Sequence, residues 1–336
     1  MKAIIKTFIL TAFCLYVGHS GCYATPTMRV KDKLLIREAI TISNLYGESV
    51  WKGIDKIPFV IVLVTDSIEF LVYHPNPSAD FLFSEQDTIL GTTIYYRKRQ
   101  FGKHLLATFP AVGGLNCVVA GIPENTGMNP TSWVITLLHE HFHQYEYSYP
   151  GYFKSVEELD LSGGDQSGMW MLNYPFPYDS SHVIEQYKKY NQALSALLKG
   201  MDGKSFSNLF KTYKTERKKM KELLQPADYR YFSFQVWQEG LARYTEYKFL
   251  ELLDHYVVSA EVAALPGFIK FIEYKKQLYG SELRNITDLA LNKDKRICFY
   301  SLGFAEGILL DKLNPKWHSL FLKKKFYIER YSRKLK

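Results

Sequence analysis

Apolar and polar residues follow two different periods along the chain. From Val30 to about Ile54 the apolar positions recur at helical spacing. Between Ile54 and Asn129 the chain contains short runs rich in β-branched and aromatic residues and bounded by turn residues, a pattern typical of strands. These runs begin at Pro58, Phe70, Gly91 and Leu115. After Asn129 the helical period returns almost to the end of the chain. The predicted helices cover residues 130–147, 182–200, 204–225, 230–254, 258–278 and 296–313.

The order of these elements predicts an α+β fold. A helix and three or four strands form a small antiparallel or mixed sheet lobe in residues 25–125, which packs on a mainly helical lobe in residues 126–336. No internal repeat or low-complexity linker separates the two lobes, so we expect one functional unit.

The N-terminal residues have the pattern of an export signal. Lys2 and Lys6 precede an apolar run and then small residues, which predicts a signal peptide in residues 1–24 with cleavage after Ala24. The alternative is a lipoprotein, acylated on Cys22 and tethered to a membrane, although His19 stands where an aliphatic residue is usual. Both alternatives predict an exported protein, either periplasmic or secreted.

Composition and charge narrow the class of protein. The chain has 336 residues, 47% hydrophobic and 23% charged, which is ordinary globular composition. Removal of residues 1–24 takes away Lys2 and Lys6 and no acid, so the formal charge falls from +8 to +6. The excess is concentrated in the tail after Lys323, and such tails are usually solvated. We expect a monomer with no nucleic-acid partner, because an exported protein rarely meets nucleic acid.

The cysteine count leaves two alternatives open. If cleavage follows Ala24, only Cys117 and Cys298 remain. In an oxidising compartment the pair forms a disulfide, or both are buried free thiols.

The stretch LLHEHFHQYE carries the densest chemistry in the chain. It places His139, His141 and His143 at alternate positions with Glu140 between the first two. On a strand all three imidazoles share a face, whereas on a helix only His139 and His143 do. The flanks favour the helix, because Asn129-Pro130 is a good start signal and Pro150-Gly151 a stop.

On a helix, His139, Glu140 and His143 form the motif H-E-x-x-H. His139 and His143 then lie one turn apart and are able to hold a Zn²⁺ ion, while Glu140 accepts a proton from a water bound there. His141 points away and is expected to be a packed side chain. A catalytic zinc site usually has three protein ligands. The strongly helical segment VWQEGLARYTEYKFLELL from Val236 is the better source of the third than the acids of the predicted loop near residue 158.

Two motifs together resemble a known family. HEHFHQ followed by WQEGLARYTE resembles the gluzincin group of zinc metallopeptidases, in which a second helix supplies a glutamate ligand. The resemblance implies that His139, His143 and Glu239 are metal ligands and that Glu140 is the general base. The spacing departs from the family, with 95 residues between His143 and Glu239. An insertion of helices at about 153–226 accounts for it.

Four further residues are candidates for supporting roles. Glu246 lies two turns after Glu239 and either orients a ligand histidine or is solvated; Arg243 is expected to point outward. By the same resemblance Tyr300 stabilises an oxyanion, with plain packing as the alternative. The stretch AVGGLNCVVAGIPE is interpreted as an edge strand that pairs with a peptide through Gly114 and Asn116, or as a core strand.

The sequence as a whole predicts an exported zinc-dependent metallopeptidase that acts on a peptide or protein substrate. Two alternatives stay open. One is a non-catalytic protein that binds peptides or the cell envelope and keeps the fold. The other is a zinc hydrolase or lyase that acts on non-peptide material such as cell wall.

Overall fold

One six-stranded mixed sheet and a mainly helical remainder make up the fold. The computed structural model describes residues 25–335, and its α+β class is the one that the sequence predicts. The expectations for residues 1–24, including export and acylation of Cys22, lie outside the described residues. The first helix, α1, is Val30–Val50. The strands are β1 Ile61–Val64, β2 Ile68–Val72, β3 Leu82–Asp87, β4 Thr92–Lys98, β5 Leu106–Val112 and β6 Leu115–Gly121.

The strands follow the order β3-β4-β2-β1-β6-β5 across the sheet. Only β1 and β6 are parallel, with Val62 opposite Val119, and the other neighbours are antiparallel. The parallel pairing brings β6 into the interior and leaves β5 at one edge. Of the two alternatives for the stretch around Leu115, an edge strand and a core strand, the core strand is the one present, because β6 is paired on both sides.

The sequence pattern did not predict two of the six strands, β3 and β5. β3 is polar at four of its six positions and has no hydrophobic alternation that marks one face. β5 contains Pro110, which cannot donate to a ladder and is confined to edge strands or bulges. In the structure β5 is an edge strand, and its register with β6 shifts just after Pro110.

The rest of the chain is helical, with short connections. The helices are α2 Pro123–Thr126, α3 Pro130–Ser148, α4 Tyr152–Glu157, α5 Trp170–Asn173, α6 Ser181–Lys199, α7 Phe206–Leu223, α8 Pro226–Gln235, α9 Leu241–Leu252, α10 Ala260–Ala263, α11 Phe271–Asp288, α12 Leu291–Asp294 and α13 Cys298–Leu313. A five-residue π-helical turn, Val236–Gly240, joins α8 to α9. The predicted helix at 258–278 was wrong in its bounds, because α10 ends at Ala263 and α11 begins only at Phe271.

The larger of two hydrophobic clusters runs from the sheet lobe into the helical lobe, and it includes side chains of α1, β1, α3, α9 and α13. The smaller cluster contains the alternate residues Val62 and Val64 of β1. Polar contacts fix α3 beneath the sheet. The Gln144 amide donates to the carbonyls of Val60 (3.0 Å) and Asn116 (2.9 Å), and the Trp133 indole donates to the Gly121 carbonyl at 2.8 Å. Among residues 25–335 no helix is long and apolar enough to cross a membrane.

Candidate metal centre

Helix α3 presents two of its three histidines on one face. Asn129 caps it by accepting a hydrogen bond from the Ser132 amide at 2.9 Å, and Pro130 occupies the first turn. The predicted helix over 130–147 is thus confirmed. The Nε2 atoms of His139 and His143 lie 3.2 Å apart.

His141 is packed in the core, as the prediction of a helix implies. The His141 ring stacks on Phe59 with centroids 4.0 Å apart, and its Nδ1 contacts the Gln144 amide oxygen at 2.8 Å. Burial lowers the pKa of His141 to about 4, so this imidazole is neutral at pH 7.

Glu239 reaches the two imidazoles from the π-helical turn. Its Oε2 atom lies 3.6 Å from His139 Nε2 and 3.7 Å from His143 Nε2. A tetrahedral zinc site with bonds of about 2.0–2.1 Å places its ligand atoms about 3.4 Å apart. The three separations bracket that value, so this donor set fits a zinc ion with one position left open. Of the described residues, these three form the one group of histidine, cysteine and acidic side chains close enough to share a metal.

The π-helical turn explains how Glu239 points at the site. π-helical turns are rare and occur often at functional sites, because the extra residue rotates the side chains that follow. Here the turn contains Glu239 and ends at Gly240. A Cβ atom on Gly240 would lie 2.4 Å from the Cα of Gly303, so α13 crosses the turn in direct backbone contact. This contact brings the start of α13, with Tyr300, close to Glu239.

A carboxylate lies behind each histidine. His139 Nδ1 donates to Glu246 Oε1 at 2.7 Å, and His143 Nδ1 donates to Glu146 Oε2 at 2.7 Å. Both contacts leave Nε2 as the free donor atom and fix the ring orientation, as is usual for ligand histidines. The orienting geometry suggested for Glu246 is present. Glu146 was missed, although its place three residues after His143 on the same helix face was a usable signal.

Arg243 does not point outward as expected. Its Nη1 donates to Glu246 Oε2 at 2.7 Å, and its Nε lies 3.5 Å from Glu282 Oε1. The guanidinium therefore stabilises the carboxylate behind His139 and does not contact Glu239. Burial alone would raise the pKa of Glu246, but Arg243 and His139 hold it below its usual value.

The electrostatics of the cluster call for positive charge. Burial alone would lower the pKa of His143, yet Glu146 and Glu239 raise it well above its usual range. Burial would likewise raise the pKa of Glu239, but the two imidazoles hold it well below its usual value. The buried carboxylates of Glu146 and Glu246 and the partly buried one of Glu239 thus surround two imidazoles. A divalent cation is able to supply the positive charge that protons on the imidazoles otherwise provide.

The side chain of Glu140, a residue of α3, faces the edge strand β5. Its side chain is 6% exposed. The Thr108 hydroxyl on β5 contacts both Glu140 Oε2 (2.9 Å) and the Glu140 carbonyl (2.8 Å). Thr108 was missed because β5 was missed. The contact holds the Glu140 carboxylate against the edge strand β5.

Tyr300 also lies at the centre, together with an arginine that the sequence analysis did not single out. The Tyr300 ring stacks on the His139 ring with centroids 6.1 Å apart. Arg296 Nη1 donates to the Tyr300 hydroxyl at 3.2 Å and lies 3.7 Å from Glu239 Oε1. Arg296 lies in the 3₁₀ turn Lys295–Ile297 that precedes α13. It is the first residue of the predicted helix 296–313, but nothing in the sequence pattern marked it as a site residue.

The remaining candidates are placed away from a free edge. Gly114 lies in the turn between β5 and β6 with φ of 76°, a conformation that favours glycine. Asn116 pairs with Pro110 inside the sheet. The substrate role suggested for both rested on β6 being the edge strand, and β5 takes that position instead. Cys117 and Cys298 are buried free thiols, so the disulfide alternative is not present.

No family model, no curated protein and no solved structure matches this chain.

Proposed function

We propose that this chain is an exported zinc-dependent peptidase of the gluzincin type. The observation that carries the proposal is the approach of Glu239 to His139 and His143 across 95 intervening residues, with separations that suit one tetrahedral ion. The carboxylates behind both histidines and the position of Glu140 support it further. The export part rests on the N-terminal sequence alone.

The proposed reaction is hydrolysis of a peptide bond by water. A zinc ion held by His139, His143 and Glu239 would polarise the scissile carbonyl and lower the pKa of a water bound to it. Glu140 accepts a proton from the attacking water and passes it to the leaving amine. The Thr108 hydroxyl holds the Glu140 carboxylate in place. Tyr300 supplies a hydroxyl for the oxyanion that develops at the carbonyl.

The edge strand offers a binding surface for an extended substrate. Among the described residues, β5 pairs with β6 on one side only, so its outer edge has free backbone donors and acceptors. A peptide added to this edge is held by main-chain hydrogen bonds, which suit many sequences. Thr108 is on β5 and contacts Glu140, so such a peptide passes close to the proposed base.

Metal analysis tests the ligand set. We expect purified wild type to contain about one zinc per chain after reconstitution, and His143→Ala and Glu239→Ala to lose most of it, because two ligands hold zinc far more weakly than three. Glu157→Gln is the control, since Glu157 is an exposed acid on α4. Full zinc affinity in Glu239→Ala would contradict the ligand assignment, and a wild type that takes up no zinc would contradict the site.

Activity on a broad peptide library tests the enzyme. We expect cleavage by wild type and by Glu157→Gln, and a loss of at least about a hundredfold in Glu140→Gln, the size usual for general base catalysis. If zinc binds but no peptide is cut, the peptidase proposal fails. Unchanged peptide binding by Glu140→Gln would then favour the non-catalytic binding protein.

A further inference from the structure

The two oxygens of Glu239 face different neighbours. Oε2 lies 3.6 and 3.7 Å from the Nε2 atoms of His139 and His143. Oε1 lies 3.7 Å from Nη1 of Arg296. One oxygen is thus directed at the metal position and the other at a guanidinium.

Arg296 is held in this position by Tyr300 and by the backbone that precedes α13. Its Nη1 donates to the Tyr300 hydroxyl at 3.2 Å, and its guanidinium carbon lies 5.9 Å from the centre of the same ring. Arg296 follows Lys295, whose φ of 48° is strained for a residue with a side chain. The other nearby guanidinium, that of Arg243, is paired with Glu246 and Glu282.

This arrangement restricts how Glu239 binds an ion. A carboxylate binds a metal through one oxygen or through both, and binding through both uses a coordination position that a water would otherwise take. For Oε1 to turn toward the ion, it would have to leave the positive charge of Arg296 in a site from which much water is excluded. The guanidinium also withdraws charge from the carboxylate, which makes it a weaker donor to the metal.

We propose that Arg296 is a positioning residue that keeps Glu239 bound to the metal through Oε2 alone and so preserves the open coordination position. This inference rests on the proposed function for the presence of the metal but not for the reaction. It assigns Arg296 an effect on the number of metal ligands, which is measurable without any substrate.

The test is the visible absorption of the Co²⁺-substituted full-length mature chain, together with zinc titration. In Arg296→Met, Oε1 is free to join the ion, so we expect weaker d–d absorption, as for a site with a higher coordination number. We also expect the zinc dissociation constant to fall about tenfold, the lower end of the range over which outer contacts change metal affinity. A merely structural loss would weaken zinc binding instead.

Two variants serve as controls. Arg296→Lys restores a positive charge near Oε1 and should return the spectrum toward that of wild type. Lys293→Met removes the same charge from an exposed position on α12 and should leave both readouts unchanged. If Arg296→Met has the wild-type spectrum, or binds zinc more weakly, the inference is overturned while the peptidase proposal stands. If wild type binds neither ion, both are overturned. If wild type binds cobalt as described but cuts no peptide, only the peptidase proposal fails.

Discussion

The two carboxylates behind the ligand histidines differ in how their charge is balanced. Glu246 is paired with Arg243 at 2.7 Å. Glu146 is fully buried, its Oε1 atom has no hydrogen-bond partner, and burial raises its pKa to about 7. Burial of a charged carboxylate with one unpaired oxygen costs free energy. A positive charge on or near His143 is therefore needed to keep Glu146 ionised. The His143 side of the site is therefore the side that depends more on a bound cation.

Thr108 provides a prediction at the scale of one hydroxyl group. Thr108→Val removes the donor to Glu140 while keeping the shape of the side chain. A hydrogen bond to a charged group contributes about 1.5–3 kcal/mol, so we expect kcat/KM for peptide cleavage to fall about tenfold or more. Thr108→Ser keeps the hydroxyl and should retain most of the activity. Equal rates for Thr108→Val and wild type would show that this contact does not hold the base.

At the scale of elements, the site depends on the crossing between the π-helical turn and α13. Gly240 and Gly303 meet there with no room for a side chain on either. The crossing places Glu239, one residue before Gly240, beside Tyr300, one turn before Gly303. Glu239 and Tyr300 lie on different elements. The distance between Gly240 and Gly303 therefore determines how close the Glu239 and Tyr300 side chains lie.

Substitution of the crossing glycine is expected to disturb both stability and metal binding. In Gly240→Ala the new Cβ would lie 2.4 Å from the Gly303 Cα, so the elements must separate. We expect the free energy of unfolding to fall by about 1–3 kcal/mol, and zinc affinity to fall with it. Gly280→Ala on α11 is the matched control, because its Cβ would meet only the flexible end of Arg284 at 3.4 Å. Chemical denaturation of both variants checks the prediction, and similar effects in the two would contradict it.

A second prediction at this scale concerns the C-terminal 3₁₀ turn Trp317–Leu320. The His318 ring lies 4.3 Å from the Trp51 ring, at an interplanar angle of 39°. Burial lowers the pKa of His318 to about 4, against about 6.5 when unfolded. As the pH falls through this window the unfolded chain binds the proton first, so stability is lost on acidification. Between pH 7 and pH 5, His318→Gln should lose about 2 kcal/mol less than wild type in urea unfolding. His255→Gln, at an exposed position, should follow wild type.

At the scale of the whole molecule, what could be predicted depended on whether the signal was local. The start signals at Asn129 and Pro130 predicted the α3 helix, and with it the shared face of His139 and His143. Glu239 came from a resemblance, and the structure places it beside both histidines. The edge position of β5 depends on the parallel pairing of β1 with β6, and no local sequence pattern predicts that pairing. Arg296 was missed for the same reason, since its partners are set by tertiary contacts.

Metal removal tests the molecule as a unit. A ligand that binds only the folded state at about a thousand times its dissociation constant stabilises that state by about 4 kcal/mol. We therefore expect chelation to lower the melting temperature of wild type and zinc to restore it. In Glu239→Ala the melting temperature should respond little to either treatment. An equal response in both proteins would place the stabilising ion elsewhere.

The 95 residues between His143 and Glu239 have a consequence for how the protein matures. An isolated α3 carries only the two histidines of the proposed site, because Glu239 lies on the π-helical turn before α9. On the proposed ligand set, tight zinc binding therefore requires that this turn has docked onto α3. The amount of zinc retained per chain would then measure the fraction of molecules in which this docking is complete.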